Sequence, residues 1–146
     1  MPHARTNIRQ RFVALLQGQT TAGDRVYDSH TYNLEHQALP AIIIFSDHEE
    51  VITETISFPR SQTRNLKVTV QCYCKATADI SREIDNLALQ VETLVQANSN
   101  LEGFCKDCRL ESTDINLHSE LEQPVAISLV FNTLYRTKEH RPDNII

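Results

Sequence analysis

Tryptophan is absent from this chain, and glycine is scarce, at 3 of 146 residues. That composition excludes collagen-like, low-complexity and short-repeat architectures. The longest apolar run, Leu39–Phe45 (LPAIIIF), is far too short to span a bilayer, so no membrane partner is expected. Residues 1–11 carry His3, Arg5, Arg9 and Arg11, but no apolar segment follows them. No secretory leader is therefore expected, and synthesis in the cytosol is. The motifs H-E-x-x-H, G-x-S-x-G, G-x-G-x-x-G and G-x-x-x-x-G-K-[ST] do not occur. Positive charge is also short, with 14 basic residues against 19 acidic ones, a net charge of −5. Because gripping nucleic acid depends on neutralising phosphates, no sequence-specific nucleic-acid binding is expected.

A chain 40% hydrophobic can bury a core, and its length fits one domain. The strongest local signal is Asp79–Val95. Ile80, Ile84, Leu87, Val91 and Leu94 recur at helical spacing on one face. Asp79 is placed to cap the first turn with its carboxylate, and Glu83 suits the positive end of the helix dipole. A second helix is read over residues 5–17 from Ile8, Phe12, Leu15 and Leu16, with Gly18 as its stop.

Strands fill the rest. A short one is read around Val26 and Tyr27, and a central one over Ala41–Asp47, apolar on both faces. Ser46–Glu50 reads as an exposed turn leading in a hairpin to a strand at Val51–Phe58. Pro59–Asn65 reads as a projecting polar loop. Leu66–Cys74 has the clearest period of two, with Leu66, Val68, Val70, Cys72 and Cys74 inward and Lys67, Thr69, Gln71 and Tyr73 outward. A strand from about Cys108 to His118 is expected to break near Thr113-Asp114, and Glu120–Gln123 reads as a turn. The last strand, Pro124–Arg136, puts Val125, Ile127, Leu129, Phe131, Thr133 and Tyr135 on one face. The expected fold is α+β: a mainly antiparallel or mixed β-sheet with two amphipathic helices packed on one face. The domain is expected over 1–137, with 138–146 a flexible C-terminal tail. An opposite face that is partly apolar would invite self-association.

Several groups invite a chemical reading. Asp47-His48-Glu49-Glu50 is dense in ligand types, yet neighbouring residues on a strand or turn point in different directions and do not converge on one metal. His30 and His36 flank Tyr32 at a spacing that fits no metal-ligand pattern on a helix. Cys72 and Cys74 form C-x-C, and Cys105 and Cys108 form C-x-x-C. The first pair shares the apolar face of a strand, where cysteine serves as a small hydrophobe; zinc and redox roles stay open as alternatives. Arg60, Arg64 and Lys67 make a modest basic cluster. Its acidic counterpart on another subunit could be Glu49-Glu50 or Glu120-Glu122, a head-to-tail pairing that closes rings.

The segments IRQRFVALLQ, LPAIIIFSDHEE, LKVTVQCY, DISREIDNLALQVETLV and VAISLVFNTLYR, in that order over about residues 7–137, resemble the lambda-type minor tail protein U family, the tail terminators of long-tailed bacteriophages and prophages. The resemblance implies an α+β subunit with no catalytic activity and no cofactor. It implies a homo-oligomer, a hexameric ring on the end of the tail tube, that stops polymerisation and offers the surface to which the head attaches. The implied partners are the major tail-tube protein and a head-completion or connector protein. The implied locations are the bacterial host cytoplasm during assembly and then the virion tail. Subunit contacts carry over only to segments 47–50, 59–65 and 119–123, with Asp47, Glu49, Glu50, Arg60, Arg64, Lys67, Glu120 and Glu122 as the interface candidates. A head-tail connector or neck protein of similar fold, or a small cytosolic metal-binding domain using the four cysteines, are the alternatives.

Overall fold

The computed structural model describes residues 2–28, 39–75, 78–116 and 125–146. Helix α1 covers Ala4–Leu16, and strands β1 and β2 cover Val26–Tyr27 and Ala41–Thr53. Strand β3 covers Ser61–Cys74, helix α2 covers Ile80–Gln96, and a 3-10 turn covers Leu101–Gly103. Strands β4, β5 and β6 cover Asp107–Asn116, Val125–Lys138 and Arg141–Ile145. The sheet runs β1-β2-β3-β5-β4, with β6 pairing with β5 on the edge where β4 has ended. Among the described strands β1 pairs with β2 in parallel and every other pair is antiparallel. The architecture is the expected α+β one.

Both helices lie on the same face of the sheet and share one core with it. Helix α1 buries Ala4, Ile8, Phe12 and Leu16, one residue per turn, and α2 buries Ile84, Leu87, Ala88, Val91 and Val95. Against them stand the inward residues of β3 and β5; β5 alternates strictly, and β3 alternates from Arg64 on except at Thr69, expected outward, which is buried as well. At the centre the rings of Phe12 and Phe131 meet 5.8 Å apart between centroids, tilted by 52°, a geometry favourable for aromatic pairs. Gly18 follows α1 with φ +75° and donates to the Gly23 carbonyl at 2.8 Å, so the helix stop falls where the sequence puts it.

Several expectations fail, each for a local reason. Ser46–Glu50 is not a turn: β2 runs without interruption to Thr53 and absorbs Asp47 as a β-bulge between Ser46 and His48. The hairpin therefore joins β2 to β3 through residues 54–60. Ser61–Asn65, expected in a projecting loop, is the first third of β3 and pairs with Lys138–Leu134 of β5. Strand β4 passes through Thr113-Asp114 without a break, and its irregularity lies between Leu110 and Ser112. Asp79 makes no side-chain cap; its backbone carbonyl accepts from the Glu83 N–H at 3.0 Å. Residues 141–145, expected in a loose tail, form β6, and Ile145 packs on the core. His30, Tyr32, His36, Leu117, His118 and the acidic segment at 120–123 lie outside the described residues.

The end strand therefore contributes to stability. A chain ending at His140 should lose about 1–2 kcal/mol, the value of uncovering a partly buried isoleucine. Its urea midpoint is the check; an unchanged midpoint would mean that β6 contributes nothing.

Candidate functional site

Four elements meet at one carboxylate. The bulge at Asp47 shifts the alternation of β2 by one residue, so that Glu49, opposite Leu66, faces the helix layer while His48 and Glu50 face away. Glu49 Oε1 accepts from Arg5 of α1 and from Arg64 of β3, each at 2.9 Å. Its Oε2 accepts from the Tyr135 hydroxyl of β5 at 2.5 Å. The Glu49 and Arg64 side chains are only 8% and 10% exposed, and Tyr135 is fully buried. Arg64 also donates to Thr137 Oγ1 and Gln62 Oε1, each at 3.1 Å. Burial pushes the Tyr135 phenol up, and its hydrogen bond to the negatively charged Glu49 carboxylate adds to the shift, so it stays a donor.

His3 caps α1 through Nδ1, which accepts the Arg5 N–H at 3.2 Å. Burial and the neighbouring Arg5 and Arg64 charges lower its pKa, which keeps that nitrogen free to accept. The other arginines of α1 are also tied down: Arg9 to Asp28 at 2.9 Å, and Arg11 to Glu102.

The face without helices is polar at one end and charged at the other. Tyr73 donates to Gln71 at 2.6 Å, and Gln71 to Ser128 at 3.1 Å. Further along, Lys67 pairs with Glu111 at 3.3 Å, Arg109 with Asp107 at 3.2 Å and Arg136 with Glu54 at 2.8 Å. Asp47, His48, Lys67 and Glu111 border an open concavity there.

The interface candidates thus separate. Glu49 and Arg64 bind each other inside the subunit. Asp47, Glu50 and Lys67 stand on the helix-free side, and Arg60 flanks the β2–β3 turn, paired with Glu139 at 3.3 Å. Glu120 and Glu122 lie outside the described residues. Sequence reasoning missed Tyr135 and Arg5 as partners of Glu49, because the bulge that turns Glu49 inward leaves no mark in the hydrophobic period. It missed Ile56 and Phe58 as the apolar crest of the turn because they continue the parity of Ile52.

All four cysteines are buried free thiols. Cys105 donates to the Ser99 carbonyl at 3.3 Å, and Cys108 lies 3.6 Å from the Thr133 hydroxyl. Burial pushes Cys74 and Cys108 up to about 11 and Cys105 to about 12, and raises Cys72 as well. The thiolate that a nucleophile or metal ligand requires is thereby disfavoured. Among the described residues no three His, Cys, Asp or Glu side chains gather as a metal-binding group.

Two outcomes follow. Glu49→Ala leaves Arg64 with an uncompensated charge in a mostly buried place and should cost about 3–5 kcal/mol in urea unfolding. Tyr135→Phe removes one charge-assisted bond and should cost less, about 1.5–3 kcal/mol. Equal losses would mean that the carboxylate is held by the tyrosine rather than by the arginines. The thiols set an alkaline limit. In the unfolded chain they ionise near their ordinary value of 9.0, while the folded chain holds their protons to about 11–12. The unfolded state then binds fewer protons, so stability falls as pH rises through that window. Melting temperature against pH checks this, and replacing Cys105 and Cys108 by alanine should flatten the decline.

The phage minor tail protein U family matches residues 3–135. A chain of a solved structure described as the virion of a native gene transfer agent particle is similar over 92% of each chain, at 11% identity and a TM-score of 0.41. No curated protein matches.

Proposed function

The chain belongs to the phage minor tail protein U family, a structural component of phage tails, and on that premise we propose that it is a tail terminator. In this reading copies assemble in the bacterial host cytoplasm into a homo-oligomeric ring, a hexamer. The ring sits on the end of the tail tube, stops addition of the major tail-tube protein and presents the surface that receives the head-completion or connector protein. The observation that carries the reading is the family match across nearly the whole described fold.

The geometry is compatible with a ring subunit. From Ser46 to Thr53 the outer edge of β2 has no partner strand among the described residues. Edges of this kind are where further chains attach. The ion pairs of the helix-free face and the net charge of −5 suit a surface that DNA passes without being held. Among the interface candidates, Asp47, Glu50, Arg60 and Lys67 are the ones placed to reach a neighbour.

Light scattering after size exclusion should show the mass growing with concentration towards a hexamer. Tail tubes polymerised in the presence of the protein should stop growing once it binds their ends. A monomer at all concentrations that leaves tube growth unchanged would overturn the proposal.

A further inference from the structure

The sheet ends in two open edges. Among the described residues, no strand lies outside β4, and none lies outside β2 from Ser46 to Thr53. The Glu54 N–H donates to the Ser61 carbonyl at 2.8 Å. Because an antiparallel ladder alternates, Glu49, Val51 and Thr53 turn their backbone N–H and C=O groups to the open side. Val51 is also 47% exposed there. Such an edge accepts one chemistry, another extended backbone.

A second copy of the chain offers one at β4. Strands β2, β3, β5 and β4 are antiparallel in turn, so β4 runs against β2. A copy added edge to edge in the same orientation therefore continues the alternation. The pleat restricts the register: if the helices are to stay on one side, the allowed registers lie two residues apart. In one of them Glu50 stands opposite Arg109 and His48 opposite Glu111, all on the helix-free face. Val51 then meets Cys108 on the helix side. A slip of two residues in either direction sets Glu50 against Asp107 or against Glu111, like charge on like. The first register also lays the Ser46–His48 bulge of β2 against the Leu110–Ser112 bulge of β4. Faces then match on both sides of the irregularity, since Ser46 and Thr113 again share the helix side. Arg109, 76% exposed and 3.2 Å from Asp107, is free to exchange that pair at little cost.

We propose that residues 46–52 of β2 pair antiparallel with residues 107–113 of β4 in a second copy of this chain, with Glu50 opposite Arg109. The two edges are different surfaces of one subunit, so the contact is heterologous, and successive copies close into a ring when the rotation permits. The helix-free face is the concave one, so the helices stand outside that ring. The inference rests on the ring reading above and supplies its contact.

The test is a charge swap with a cross-link. Glu50→Arg and Arg109→Glu each set like charges opposite one another and should weaken self-association by at least about tenfold. Both side chains are exposed, so the melting temperature of the dilute protein should hold. The Glu50→Arg, Arg109→Glu double variant should recover assembly, because every contact again pairs opposite charges. In the Ile52→Cys, Asp107→Cys double variant, mild oxidation should give a covalent ladder ending at the ring. Either single cysteine variant should give none, since the four native thiols are buried. Wild-type assembly that both charge variants leave intact, with no ladder, overturns the pairing and leaves the ring reading standing. Weakened single variants that the double variant does not rescue, again with no ladder, overturn it as well. A ladder that grows without closing supports the pairing and overturns the ring. A wild type that never assembles, alone or on tubes, removes both.

Discussion

The Glu49 carboxylate is the point on which this fold depends. A charge at 8% side-chain exposure has lost most of its hydration, and the loss is offset only if several donors converge on it. Three do, one each from α1, β3 and β5, while Glu49 itself sits on β2. The node therefore fixes the angle of the first helix over the sheet and the register of three neighbouring strands. An apolar patch could hold the same elements together. It could not fix their register, because apolar contact has no direction, whereas a carboxylate with three donors tolerates few alternative placements.

The node exists because of a backbone irregularity, and that irregularity has a counterpart. The bulge of β2 lies opposite Val68 and Lys67, and the bulge of β4 opposite Phe131 and Val130; Val68 and Phe131 face each other across β3 and β5. Both outer strands are thus bulged at the same row, on either side of the fully buried pair that meets Phe12. Each bulge increases local twist. Together they curl the sheet around the aromatic centre, and they bring Asp47 and Glu111 towards the concavity of the helix-free face.

How much of this was legible depended on the kind of signal. Strands β3 and β5 and helix α2 could be read because their periods are unbroken and one face of each is buried. The second half of β2 could not. SDHEE carries the composition of a turn, yet Glu49 within it is satisfied by Arg5 and Arg64, and Ser46 by Arg9, all distant in sequence. The bulge then reverses which residues face inward, so no single parity describes the strand. Residues 61–65 look like loop for the same reason: Arg64 is a buried strand residue only because Glu49 is there. Strand β6 was illegible because RPDNI has no period and a single aliphatic residue, Ile145, and its place comes from the edge of β5 that β4 leaves beyond Leu134. The interface candidates were read as charges that meet a partner in another subunit. One of the three residues of the basic cluster, Arg64, proved to be structure, since sequence alone cannot tell a charge that seeks a partner in another subunit from one that has found it within its own.

That distinction bears on how such a subunit can associate. Its exposed charges are largely paired within the chain, as Lys67 with Glu111, Arg109 with Asp107, and Arg60 with Glu139. Exposed pairs of this kind contribute about 0–1 kcal/mol and exchange partners at little cost, so they can set which surfaces avoid each other but supply little affinity. Affinity must come from groups that are already ordered before contact, since ordering a loop at the moment of binding opposes association. The second half of β2 meets that requirement. It belongs to a strand pair whose register the Glu49 node fixes, and the turn after it is braced on β5 through Glu54 and Arg136 and on the residues after β5 through Arg60 and Glu139. The buried charge and the open edge are in this sense two sides of one strand: the node holds β2 in register, and β2 holds its edge where a neighbour can meet it.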